Sequence, residues 1–151
     1  MAWLGVRCWK DKVALAIVDN SATGPALTFD RRQQMPKGDA DVGRQARWFF
    51  QVVEEALADT GADGLAICVS SGDADQTRAS FEGAAAVAAG MRGVPVQLMR
   101  KQGMWKPLGL ADRKSGTWSD FMKHDALMSA LVGDLKEAAA ASLAAERRGT
   151  A

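Results

Sequence analysis

The chain has 151 residues, 48% of them hydrophobic and 25% charged, with a net charge of +1. That size and balance suit one domain around one core and exclude wholesale disorder. The near-neutral charge excludes a global field drawing the chain to nucleic acid or membrane, so any electrostatic attraction must come from local clusters.

Two cysteines, Cys8 and Cys68, lie inside apolar, strand-like runs. They form neither a disulfide framework nor a zinc spacing, and they fit core packing in a reducing cytoplasm. The N-terminus lacks an apolar signal core, and no apolar run approaches the ~20 residues a membrane helix needs. Secretion and membrane insertion are not expected.

Residues 3–9 are apolar on both faces, as a central strand should be. Lys10-Asp11-Lys12 is a charged turn into a β-branched run, Val13 to Val18, which makes a hairpin. A turn over Asp19 to Pro25 leads to a third strand, Ala26 to Gln34, whose polar tail suits an exposed edge. Asp39 or Asp41 is placed to cap a helix reaching about Thr60, with a stripe of Val42, Ala46, Phe49, Phe50, Val53, Ala56 and Leu57. Gly61 stands where a left-handed cap belongs.

Leu65 to Ser70 reads as a short buried strand. Ser70-Ser71-Gly72 offers an anion-binding helix start, and Asp73 with Gln76 has capping-box spacing. The helix that follows, to about Gly90, is rich in Ala and Gly. Val94 to Met99 is a fifth strand, with Pro95 favouring an edge. Gln102 to Thr117 has no period. Ser119 is predicted to cap one long last helix carrying Phe121, Met122, Leu127, Met128, Leu131, Val132, Leu135 and Leu143. Residues 1–143 form the expected single domain, and 144–151 a fraying tail.

Three meandering strands followed by alternating helices and strands, joined by right-handed crossovers, predict a mixed α/β sheet. The expected order is 3-2-1-4-5, with helices on both faces, which is the ribonuclease H-like architecture. Over roughly residues 3–135 the chain resembles the RuvC-like Holliday-junction resolvases and their short bacterial relatives. The resemblance is carried by Leu4-Gly5-Val6-Arg7, by Ala66-Ile67-Cys68, by the Ala/Gly-rich helix with Gly83 to Gly90, and by His124-Asp125-Ala126-Leu127.

The resemblance implies a two-metal nuclease site, with carboxylates on the first strand, the fourth strand and the last helix. They would hold two divalent ions about 4 Å apart around a phosphodiester. The implied positions are Arg7, Cys68, Met122 and Asp125, so one acid of four remains. Arg7 puts a permanent cation where another cation must bind. The site therefore reads as degenerate, holding no metal and needing no cofactor. Arg7 is expected to pair with Asp125, or else to carry its head to the sheet's end as an ordinary strand residue.

Asp19, Asp30, Asp120 and Asp134 could supply a relocated carboxylate site, but no pair has a motif's spacing, and solvated caps explain them. His124 reads as a surface helix residue. There is no phosphate loop of the Walker kind and no Gly-x-Ser-x-Gly elbow.

Arg92, Arg100, Lys101, Lys106, Arg113 and Lys114, with Trp105 among them, form a basic stretch able to hold phosphates and stack bases. A solvated loop whose tryptophans cover the sheet is the competing reading. The expected function is a non-catalytic domain that binds DNA, RNA or a protein, with the Ala-rich helix and Phe49-Phe50 available for a homodimer. The alternative is an active nuclease, dependent on Mg²⁺ or Mn²⁺, with rearranged carboxylates.

Overall fold

The computed structural model describes residues 1–38, 40–69, 76–110 and 115–149. Five strands form one sheet in the order β3-β2-β1-β4-β5: β1 (Trp3–Cys8), β2 (Lys12–Ser21), β3 (Gly24–Gln34), β4 (Gly64–Cys68) and β5 (Val96–Met99). The first three are antiparallel, and β4 and β5 run parallel to β1. This is the expected topology.

Helices α1 (Val42–Thr60) and α2 (Gln76–Met91) cover one face. The other face is closed by α5 (Gly133–Gly149), with the shorter α3 (Lys101–Trp105) and α4 (Ser115–His124) beside it. Alternation along β1 divides its side chains between two cores. Leu4, Val6 and Cys8 meet Phe49, Val53, Leu57 and Phe81, whereas Trp3 joins Ala138, Ala141 and Ala145. Cys8 and Cys68 fall in different cores, on opposite faces of the sheet.

The sequence signals for α1 hold in detail. Asp41 accepts a hydrogen bond from Arg44 N at 2.9 Å, and Gly61, at φ 62°, donates to Leu57 O. Phe49 is fully buried and stacked on Phe81, which removes it from any dimer surface; Phe50 is half-buried. The capping candidates Asp39 and Asp73 and the Ser70-Ser71-Gly72 turn lie outside the described residues.

The C-terminal half departs from expectation. A single helix from Ser119 is not formed. Asp125 accepts hydrogen bonds from Leu127 N and Met128 N, at 3.0 and 3.1 Å, and turns the chain into a 3-10 turn at Met128–Ala130. A new helix then starts at Gly133 and runs to Gly149, beyond where a fraying tail was expected. Its far end is fixed: Ala144 and Ala145 are buried, Arg147 donates to Pro107 O, and Arg148 donates to Gly103 O.

Two contacts lock α5 onto the sheet. A Cβ on Gly5 would lie 1.8 Å from Ala138 O, so only glycine lets the helix backbone approach β1. Ser142 is fully buried between β1 and β2. Its hydroxyl donates to Trp3 O at 2.6 Å and accepts from Val18 N at 2.9 Å. Val18 follows an irregularity in the β2–β3 register, and the serine satisfies an amide there.

Candidate functional site

The carboxyl ends of the parallel strands β1, β4 and β5 form one rim. Val6 pairs in register with Ile67, and Cys68 with Met99, so Arg7, Cys68 and Met99 stand at the same level, with Arg100 the next residue out. The start of helix α5, with Asp134 and Glu137, reaches this rim.

Arg7 is 8% exposed, and its side chain lies on the α5 face. Nε sits 2.7 Å from Glu137 Oε2, and Nη1 donates to Cys68 O at 3.1 Å. The Nε hydrogen does not line up with the carboxylate, so this is a close charge contact rather than an aligned hydrogen bond. Cys68 Sγ donates to the same Glu137 Oε2 at 3.5 Å. One turn earlier on α5, Asp134 pairs with Lys12 at 3.1 Å. Trp9 spans the two pairs, with Arg7 at 5.7 Å and Lys12 at 5.0 Å from its ring centroid.

The partner of Arg7 is therefore Glu137 and not Asp125. Asp125 is committed to capping the 3-10 turn, and Met122 is half-buried, packed against the core, with its carbonyl accepting from Lys136 Nζ. The sequence held a signal for this. Asp134 and Glu137 are acids three residues apart followed by small residues, which is the spacing sought at Met122 and Asp125. Gly133, as a helix start, marks the same place. Of the four aspartates weighed for a relocated site, Asp134 alone joins this cluster; Asp19, Asp30, Asp120 and also His124 are exposed.

Both thiols are poor nucleophiles and poor ligands. Burial pushes the Cys68 thiol up to about 12, with Glu137 adding to the rise and Arg7 opposing it. Burial likewise raises Cys8 to about 12, helped by Glu82.

These residues do not fit a divalent metal. Arg7 and Lys12 already neutralise Glu137 and Asp134, and Cys68 keeps its proton. Among the described residues, no group of three or more His, Cys, Asp or Glu side chains could hold an ion.

The basic stretch is divided. Arg100, Lys101 and Lys106 surround α3 at the rim, and Lys101 lies near enough to Cys68 to oppose its rise and 5.8 Å from the Trp118 ring. Arg92 stands before the other end of β5 and pairs with Glu54 of α1 at 2.8 Å. Trp105 is 9% exposed, so little of its ring is open to base stacking. Arg113 and Lys114 lie outside the described residues. A groove of about 510 Å³ beside the rim is lined by Trp9, Lys12, Arg32, Gln34 and Asp134 among others. Of its β3 residues, Asp30 reads in the sequence as a solvated acid and Arg31 to Gln34 as an exposed polar edge, because alternation on an edge strand looks like ordinary solvation.

No protein-family model and no curated protein sequence matches the chain. Solved structures do. Thermus thermophilus RuvC superposes with a TM-score of 0.79 at 15% identity, covering 99% of this chain and 96% of that one. The same organism's RuvC in complex with Holliday-junction substrate gives 0.75 at 17% identity, over 99% and 96%. The yeast mitochondrial Holliday-junction resolvase gives 0.65 at 5% identity, over 96% and 78%. The strand order and these near full-length superpositions together establish that the chain has the ribonuclease H-like fold in its RuvC form.

Proposed function

We propose that this chain is a non-cleaving RuvC-like domain that binds nucleic acid. The observation that carries the reading is the Arg7–Glu137 contact at the rim where the fold's carboxylates would gather. A fixed guanidinium there repels a divalent ion. Strand one and strand four contribute no carboxylate, so the clamp on attacking and leaving oxygens has no base to stand on. Nucleic-acid binding is supported by the likeness to a RuvC bound to junction DNA and by the cations around α3 on the same rim.

The active-nuclease alternative needs acids elsewhere, and the described residues offer no such group. A protein partner or a second copy would dock on the exposed side of α2, where Val87 and Met91 stand in solvent. Two buried, reduced thiols favour a cytoplasmic setting. No helix among the described residues is long and apolar enough to cross a membrane.

The test is a gel-shift and cleavage assay on a four-way junction, a duplex and a single strand. The expected result is salt-sensitive binding in EDTA and no cleavage with Mg²⁺ or Mn²⁺. Metal-dependent cutting that survives purification controls overturns the non-cleaving half. Absence of any shift at low salt overturns the binding half.

A further inference from the structure

We propose that Arg7 is the resident cation of this site: a positioning residue that ties β1, β4 and α5 together in place of a divalent ion. The inference rests on the non-cleaving reading and goes further, since it says what replaced the metal and what would bring metal back.

Three observations support it. First, the guanidinium reaches two elements from a third. From β1 it meets Glu137 on α5 at 2.7 Å and the Cys68 carbonyl at the end of β4 at 3.1 Å. A cation bridging a carboxylate and a carbonyl makes the links an oxygen-seeking ion makes. Second, charge is balanced without metal. Arg7 answers Glu137 and Lys12 answers Asp134, with Trp9 lying against both cations. Third, α5 still presents its two acids one turn apart, on one helical face. What the site lacks is confined to the two sheet positions, Arg7 and Cys68.

It follows that Arg7→Asp combined with Cys68→Glu removes the fixed cation and sets two carboxylates beside Asp134 and Glu137. With Lys12 still paired to Asp134, the cluster then carries an excess negative charge that a bound cation relieves. Such a site takes a hard divalent ion with oxygen ligands.

The experiment is calorimetric titration of the full chain with Mn²⁺, together with thermal unfolding in Mn²⁺ and in EDTA. The unsubstituted protein is expected to give no binding heat and one melting temperature in both. The double variant is expected to bind Mn²⁺ in the micromolar range and to melt higher in Mn²⁺ than in EDTA. Adding Glu137→Gln to it should abolish the binding.

Four acids in one place could prevent folding without metal. In that case Mn²⁺ should restore the helical circular dichroism signal, because binding and folding are then one event. A second pair of variants reads the same role without metal: Arg7→Lys should melt above Arg7→Met, since charge is what matters. A folded double variant blind to Mn²⁺, or one that Mn²⁺ fails to fold, overturns the proposal. So does Arg7→Met melting with the unsubstituted protein. Junction cleavage by the unsubstituted protein would instead overturn the non-cleaving reading, so the two failures are told apart.

Discussion

Arg7 on β1 and Glu137 on α5 meet at 2.7 Å with side chains 10% and 24% exposed, at the one place where strand ends and the closing helix converge. Water is scarce there, so each charge depends on the other. Removing one partner strands its mate, which costs roughly 3–5 kcal/mol for deep pairs and less here because Glu137 keeps some solvent. Arg7→Ala and Glu137→Ala should each lower stability in urea unfolding, by about 2–3 kcal/mol. The double variant should lose clearly less than their sum. Strict additivity would show that the two side chains are merely neighbours.

Ser142 supplies a second prediction. Its hydroxyl bonds into the gap between β1 and β2, where it joins Trp3 O to Val18 N. Ser142→Ala leaves both backbone groups buried without this partner, at a cost of about 1–3 kcal/mol. Ser142→Thr adds a methyl to a closed space and should also destabilise. Wild-type stability in the alanine variant would mean that the strands re-pair without the hydroxyl.

Strand order, both sheet faces and the α1 caps could be read from residues, because period, turn chemistry and crossover handedness all pointed one way. The last helix could not. Residues 119–143 carry apolar side chains at helical spacing throughout, and periodicity does not register that Asp125 breaks the ladder by binding Leu127 N and Met128 N. Met122 and Asp125, the positions the resemblance implied, lie before that break, whereas the acid set against Arg7 is Glu137 of α5. The resemblance implied that Arg7 and Cys68 lie together, and the parallel β1–β4 register sets them side by side, with Arg7 Nη1 donating to Cys68 O. The burial of Trp105 was hidden for another reason: an aromatic residue in a basic loop looks the same whether its ring is open to solvent or buried.

The thiols give a pH-dependent test. Both Cys8 and Cys68 are raised by burial from 9.0 to about 12. The folded protein should therefore resist maleimide and disulfide reagents at pH 8 and react only on unfolding. A raised thiol holds its proton in the folded state after the unfolded chain has lost it. Stability from this source is complete below about pH 9 and declines as the pH rises from there towards 12. The decline is about 1.4 kcal/mol per pH unit for each thiol. Cys8→Ala with Cys68→Ala should flatten that alkaline decline. Rapid labelling of the native protein at pH 8 would contradict the burial argument.

The last prediction concerns where phosphate is held. Met99 pairs with Cys68, so Arg100 and Lys101 emerge next to the end of β4, on the same rim as Arg7, and Lys106 follows one helical turn on. Arg92 lies before the opposite end of β5 and already pairs with Glu54. If the rim binds nucleic acid, replacing Arg100, Lys101 and Lys106 with Ala should weaken junction and single-strand binding. The slope of log K against log salt should flatten by about 0.9 per lost contact on duplex and about 0.7 on single strand. Arg92→Ala should leave both affinity and slope unchanged, since it removes a cation remote from the rim. Lys101→Ala also withdraws the ammonium from the Trp118 ring, so Lys101→Gln serves as its companion, keeping the stem while losing the charge. Equal losses from the Arg92 variant and the rim variants would place the contact surface along the α1–α2 side instead, and a rim triple variant that binds like the unsubstituted protein would remove the rim from the interface altogether.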